Sequence, residues 1–300
     1  MSDYGIVKGY PRIRKRLGRL SAYIQLVRPF TLLAPLFAGI FGVLAPVREI
    51  TFQHILTAIY VGVTLALAQG AGQCLNQYAD AELDKIVKPY RPIPSGAIDR
   101  EEALGVSLLL ILIAVARAFT INTFFGLVTV VLVFFAVFYS LAPLSPRRAH
   151  PVLNLSWMAF SRGFLPMFAV FSVYGAIESA WKYSILAFLW VMGLQSTKDV
   201  PDIEGDLKFG IKTIPNSYGL KGQIITTTIC MFLYTACTLI FSLYPMLMLV
   251  PLFVIAIFSL KRRAILTENT MAWTIFYVGL ALIYIVIFVS YPHIIKLLNL

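Results

Sequence analysis

The chain has 300 residues, of which 59% are hydrophobic and 13% charged, against about 25% charged in ordinary soluble domains. Its mean hydropathy of +0.81 and its long unbroken apolar runs exclude a soluble globular domain. They also exclude an outer-membrane barrel, whose strands alternate over about ten residues. The net charge of +11 flanks membrane segments, so it points to anionic lipid and the positive-inside rule rather than to nucleic acid.

Residues 1–20 carry Lys8, Arg12, Arg14, Lys15, Arg16 and Arg19. They read as a basic cytoplasmic arm, too polar to be a cleavable signal peptide. Residues 21–300 are expected to form a single polytopic domain. Apolar runs of the length needed to cross a bilayer lie near 22–45, 52–79, 102–120, 122–142, 151–174, 180–198, 220–242, 245–260 and 271–291. The expected fold is therefore an all-α membrane protein with nine transmembrane helices. With the N-terminus inside, twenty of the 25 Lys and Arg fall on cytoplasmic segments. Arg48, Arg117, Lys182 and Lys296 fall outside, which places the C-terminus outside. Cys74, Cys230 and Cys237 sit in apolar segments without metal spacing and read as reduced packing residues. His54, His150 and His293 lie at loops or segment ends and take no role.

Two polar stretches interrupt this pattern, both on the cytoplasmic side. In the first, Asn76, Asp80 and Asp84 recur every four residues and share one face if the helix continues through them. Lys85, Lys88, Arg91 and the turn Pro92, Ile93, Pro94, Ser95, Gly96 follow. The second runs from Lys198 through Asp199, Asp202, Glu204 and Asp206 to Lys208 and Lys212. Gln69, Gln73, Asn76 and Asp80 are spaced 0, 4, 7 and 11, and so are Gln195, Asp199, Asp202 and Asp206. The repeat suggests two related helical halves around a central cavity, capped by loops 80–100 and 199–219. Eight of the fourteen acidic residues lie in 80–99 and 199–206. Carboxylates at helix ends in a membrane lose hydration and repel one another, so they need compensation. Ordinary solvated loops would balance them with neighbouring bases. Two facing clusters of oxygen ligands without His or Cys favour Mg2+, which bridges a few carboxylates to substrate phosphate. Lys85, Lys88, Arg91, Lys198 and Lys212 suit phosphate oxygens. Acid, metal and base at one membrane face imply a phosphorylated substrate with an apolar tail.

These stretches resemble the two signatures of the UbiA superfamily of intramembrane prenyltransferases. The first is carried by Asn76, Asp80, Asp84 and Arg91 to Gly96, in the style of chlorophyll-synthase-like members. The second is carried by Lys198 to Asp206 with Gly210, Thr213, Ile214 and Pro215, in the style of homogentisate-type members. The resemblance implies a nine-helix enzyme that binds a polyprenyl diphosphate through two Mg2+ ions. Asn76, Asp80 and Asp84 would hold metal on one side and Asp199, Asp202 and Asp206 on the other. Lys85, Lys88, Arg91 and Lys198 would neutralise the leaving diphosphate. The expected reaction is ionisation of the allylic diphosphate and alkylation of a lipophilic acceptor. An aromatic quinone precursor comes first, with a glycerophosphate lipid or a tetrapyrrole acid as alternatives. A cation-coupled transporter is the competing class, but it would more often break its helices at the bilayer midplane.

Smaller signals stay open between two readings. Arg28 before Pro29 sits near acceptor or diphosphate, or snorkels at a helix start. Tyr139 and Ser140 hydrogen-bond diphosphate or shield a cation, or Tyr139 belongs to an interfacial aromatic belt. Asn154 and Arg162 share a face of the fifth span, where Arg162 contacts acceptor or diphosphate, or forms a buried ion pair.

Overall fold

The computed structural model describes residues 18–141, 143–261 and 271–297. The basic arm up to residue 17 and the cations Arg262 and Arg263 lie outside the described residues, and the side chains of Lys261 and Lys296 are likewise not described. The described chain is helical, without a strand. Within it, five helices are long and apolar enough to cross a membrane, or six if one bent pair forms a single span.

The bent pair comes first. Helix α1 (Arg19–Val27) stops at Arg28, and a 3-10 turn (Pro29–Leu32), α2 (Leu33–Phe37) and a π turn (Ala38–Gly42) follow at an angle of 43°. Pro29 removes the N–H that would continue the ladder and disfavours right-handed helix at the preceding residue. Arg28 accordingly takes φ 55, ψ 70. Helix α3 (Phe52–Ala79) runs back and ends at Asp80, and the short α4 (Ala81–Val87) follows at once. The helix therefore does not run unbroken through Asn76, Asp80 and Asp84 as expected. Asp80 sits at a joint with φ −96, ψ 12.

Helices α5 (Arg100–Ile121) and α6 (Thr123–Ser140) form an antiparallel pair beside α3. After α7 (Pro146–Ala149) the fifth expected span divides into α8 (Pro151–Ala159), a π turn (Phe160–Phe164) and α9 (Leu165–Ser172). Pro166 accounts for the break, because its ring clashes with the carbonyl four residues back, that of Arg162. Helix α10 (Ile177–Leu194) tightens into a 3-10 turn (Gln195–Asp199). Pro201 blocks continuation, and α11 (Ile203–Lys208) starts afresh. Helix α12 (Ile214–Ile240), a 3-10 turn (Tyr244–Leu249), α13 (Val250–Lys261) and α14 (Met271–Leu297) complete the chain.

Burial is inverted relative to a soluble protein. On α5, Leu108, Leu109 and Leu112 face outward and are exposed, whereas Ser107 is buried and bonds the Ala71 carbonyl at 2.8 Å. Gln77 is likewise buried and bonds the Leu26 carbonyl at 2.6 Å. Apolar surface outside and satisfied polar groups inside is the arrangement a bilayer demands. The chain is a multi-pass integral membrane protein.

Two glycines set the closest helix crossing. A Cβ on Gly39 would stand 2.1 Å from the Cα of Gly62, and one on Gly62 would stand 2.8 Å from the Leu36 carbonyl oxygen. Backbone meets backbone there, so no rotamer change relieves the clash. This crossing holds the first bent pair against α3 and so fixes one wall of the central cavity. Gly39→Ala should therefore destabilise the protein by about 3 kcal/mol or more. Gly105→Ala, on α5 with nothing within 4 Å, should be neutral or stabilising by up to about 1 kcal/mol from helix propensity. Thermal unfolding of both variants in detergent measures the contrast; equal midpoints would remove the crossing from its structural role.

Candidate active site

The breaks at Arg28, Asp80, Arg162 and Leu194 surround one cavity of about 1650 Å³ including its open mouth. Its polar end is lined by Asn76, Asp80, Asp84, Lys88 and Arg91 from the α3–α4 joint and by Lys198, Asp199, Asp202 and Asp206 from the α10–α11 break. Arg28, Tyr139, Ser140 and Arg162 also line it. Below them the walls become apolar, with Leu65, Leu132, Phe135, Pro166 and Leu280. Fifteen residues of α3 separate Leu65 from Asp80, so the lining spans about 22 Å along that helix.

The two motif segments meet directly. A Cβ on Gly205 would stand 2.2 Å from Val87 Cγ1, so the missing side chain lets α11 lie against α4. Lys88 pairs with Asp202 across this contact. Within the first motif Arg91 Nη1 stands 2.7 Å from Asp84 Oδ2, both groups buried. Within the second, Lys198 pairs with Asp199. Asn76 Nδ2 donates to Asp80 Oδ2 at 2.8 Å and to Ser140 Oγ at 3.4 Å, joining α3 to the end of α6.

Three expected site residues stand away from the cavity. Lys85 is exposed and pairs with Glu82 at 2.8 Å. It follows Asp84 by one position, so it points about 100° round the helix from it. Asn154 donates to the Lys212 carbonyl at 2.8 Å, and Lys212 Nζ donates to the Ala149 carbonyl at 3.0 Å. These two brace α8 against the loop after α11 instead of lining the cavity. The alternative of a buried ion pair for Arg162 is also not found among the described residues. Its Nη1 reaches Gln195 Oε1 at 3.4 Å and the Tyr277 hydroxyl at 3.3 Å, both neutral groups.

Arg147 is the residue that sequence reasoning passed over, counting it only as a topology charge. It is 4% exposed and forks onto Asp80, with Nη2 2.7 Å from Oδ1 and Nη1 2.8 Å from Oδ2. Its guanidinium lies 5.6 Å from the Tyr139 ring centroid. The available signal was charge balance: an acidic cluster that must be desolvated calls for every base on the same face. Trp273 and Tyr277 of α14 were missed as well, being two aromatics among many in apolar runs.

The electrostatics leave one carboxylate over. Burial pushes the Asp84 carboxyl above the usual carboxylate range, with Arg91 opposing. Asp206 is 6% exposed and forms no ion pair among the described residues. Burial, then the nearby Asp199 and Asp202, push its carboxyl up to about 8. The donors are all oxygens, as a hard cation requires. Among the described residues no three Asp, Glu, His or Cys side chains close on one point. That openness fits Mg2+, which keeps waters and binds through one or two carboxylates together with substrate phosphate.

Comparisons with known proteins bear on the family and the fold. The family model described as the UbiA prenyltransferase family matches residues 32–283. Digeranylgeranylglyceryl phosphate synthase of Thermococcus gammatolerans is 31% identical over 204 residues, covering 67% of this chain and 71% of that protein. Its counterpart in Thermococcus kodakarensis is 33% identical over 201 residues, covering 67% and 70%. The structure of a UbiA homolog from Archaeoglobus fulgidus bound to DMAPP and Mg2+ has a TM-score of 0.67 at 21% identity, covering 90% of this chain and 99% of that chain. At that identity the likeness is one of fold, and the family rests on the sequence match: the chain belongs to the UbiA prenyltransferase family.

Proposed function

We propose that this prenyltransferase moves a polyprenyl group, of geranylgeranyl type, from its diphosphate to a glycerophosphate lipid. The observation that carries the reading is Arg162. It lines the cavity, its two hydrogen-bond partners are neutral, and it lies in the apolar run that the sequence reads as a fifth span, where an uncompensated charge is costly. The diphosphate has Lys88, Arg91, Arg147 and Lys198 at the polar end. A further cation suits a second anion, the phosphate of the acceptor. The relatives named digeranylgeranylglyceryl phosphate synthase favour that phosphate over the aromatic quinone precursor that the sequence motifs put first. Membership of a transferase family also favours an enzyme over a transporter.

In this reading Asn76, Asp80 and Asp84 would form one metal-holding wall and Asp199, Asp202 and Asp206 the other, holding two ions in all. When bound, Mg2+ neutralises charge on the diphosphate as the allylic C–O bond breaks. Lys88, Arg91 and Lys198 take up the charge that develops on the leaving group. Tyr139 and Phe135 present aromatic faces to the electron-poor carbon. The apolar walls keep water from it. The acceptor hydroxyl oxygen attacks that carbon, an ether bond forms, the hydroxyl proton passes to a diphosphate oxygen, and the protonated diphosphate leaves from the polar mouth. We place this mouth, with the N-terminal arm, on the cytoplasmic side of nine crossings. Both motif segments follow one plan, a long helix, a break and a short helix, which supports two related halves.

Three outcomes are expected. Purified protein with Mg2+ and geranylgeranyl diphosphate should release pyrophosphate with a prenylated glyceryl phosphate and not with hydroxybenzoate or a tetrapyrrole acid. Turnover with hydroxybenzoate alone would restore the aromatic reading. Arg162→Gln should raise the acceptor KM about thirtyfold, the worth of about 2 kcal/mol for a charged hydrogen bond, with the donor KM little changed; equal rises in both would assign Arg162 to the diphosphate or to folding. Asp206→Asn should abolish turnover while the protein melts normally, and a near-normal rate would remove Asp206 from the metal wall.

A further inference from the structure

Asp80 accepts hydrogen bonds on both of its carboxylate oxygens. A carboxylate offers about four lone-pair positions. Three are taken: Arg147 Nη2 on Oδ1 at 2.7 Å, Arg147 Nη1 on Oδ2 at 2.8 Å, and Asn76 Nδ2 on Oδ2 at 2.8 Å. Asp202 and Asp199, by contrast, each meet one lysine ammonium, a point charge on a flexible stem. Mg2+ binds oxygen at about 2.0–2.1 Å in near-octahedral geometry. With a guanidinium on both oxygens, Asp80 keeps one open position, on Oδ1, and a dication there would stand beside the Arg147 charge.

The rest of Arg147 is not fully used. Its Nε is buried without a hydrogen-bond partner, and Nη2 reaches the Ser140 carbonyl at a long 3.3 Å. An orphaned buried donor on a cavity-lining cation is a group with work in another arrangement. A planar fork with a spare Nε–H matches phosphate oxygens. The α7 backbone that carries it is tied to the second motif, since Lys212 N–H donates to the Arg147 carbonyl at 2.7 Å. The side chain therefore pivots from an anchored base.

We propose that Arg147 serves Asp80 and the diphosphate in turn. In the metal-free protein its fork neutralises Asp80 and holds the α3–α4 joint together. When metal and diphosphate arrive together, the guanidinium leaves Asp80 to the ion and closes on diphosphate oxygens, satisfying Nε. Metal alone then binds weakly, because it must displace Arg147 from its fork on Asp80 with no diphosphate to receive it. The site loads metal and prenyl diphosphate jointly and resists free metal. This rests on the diphosphate reading of the cavity but not on the identity of the acceptor.

The test uses binding rather than turnover, with the full chain in detergent, Mg2+ and inorganic pyrophosphate as probes, and calorimetry as readout. Wild-type protein should bind Mg2+ at least about tenfold more tightly when pyrophosphate is present, a size typical of changes around a metal ligand. Arg147→Met should bind Mg2+ alone about tenfold more tightly than wild type, and should lose about tenfold in pyrophosphate affinity at saturating Mg2+, as removal of a charged hydrogen-bond donor implies. Arg147→Lys keeps the charge without the fork and should fall between. Absence of synergy in the wild type overturns the proposal without recourse to any variant. So does an Arg147→Met protein that melts normally and leaves the affinity for Mg2+ alone unchanged. If pyrophosphate binds as expected but no glycerophosphate acceptor turns over, the acceptor reading fails and this one stands.

Discussion

Everything at the polar end of this protein follows from placing carboxylates where water is scarce. Five aspartates line a cavity between membrane helices, and none is stable there as a bare charge. The chain answers with four bases drawn from three separate segments: Arg91 and Lys88 after the first motif, Arg147 from the loop after α6, and Lys198 at the second motif. Those ion pairs are also the ties between segments. Lys88 joins the two motifs, and Arg147 joins α7 to the α3–α4 joint. The electrostatic need and the tertiary assembly are one problem with one solution, and among the described residues Asp206 is the cavity carboxylate it leaves without an ion pair.

The helix breaks serve the same end. An unbroken helix buries its backbone polar groups within itself and presents side chains on a fixed spiral. At Arg28, Asp80, Arg162 and Leu194 the spiral is interrupted, and each interruption carries or leads into a side chain that lines the cavity. Three of the four have a proline close by, Pro29, Pro166 and Pro201. In a membrane such breaks are tolerated where the freed groups face a polar cavity rather than lipid. The breaks therefore cluster at the site because this is the part of the spans where polar company is available.

The sequence made much of this legible. The apolar runs located α3, α5, α6 and α14 to within a few residues at most ends, because hydrophobic length is a strong and local signal. The two motifs announced themselves through repeated four-residue spacing and through resemblance to a family. What sequence could not supply was direction. Lys85 and Lys88 look alike in the string, yet one turn of α4 sends Lys85 to solvent and Lys88 to Asp202. Lys212 and Arg147 each lie in basic loops, and only the fold turns one into a brace and the other into a fork on Asp80. The acceptor class was hidden for another reason. Arg162, which would meet the acceptor in the proposed reading, and its neighbour Tyr277 come from apolar runs whose sequences otherwise satisfy only the bilayer.

The π turns at Ala38–Gly42 and Phe160–Phe164 carry a consequence for how this architecture tolerates change in length. A π turn holds one residue more than the α turn it replaces. Losing one residue within Phe160–Phe164 would return the segment to α geometry and leave Leu165–Ser172 facing its present neighbours. The same loss in the middle of α3 would swing Gln73, Asn76 and Asp80 round by about 100° and out of the cavity. The two widened turns are thus slack in an otherwise rigid frame. They are the places where a span can gain or lose a residue during descent while the facing carboxylates keep their aim.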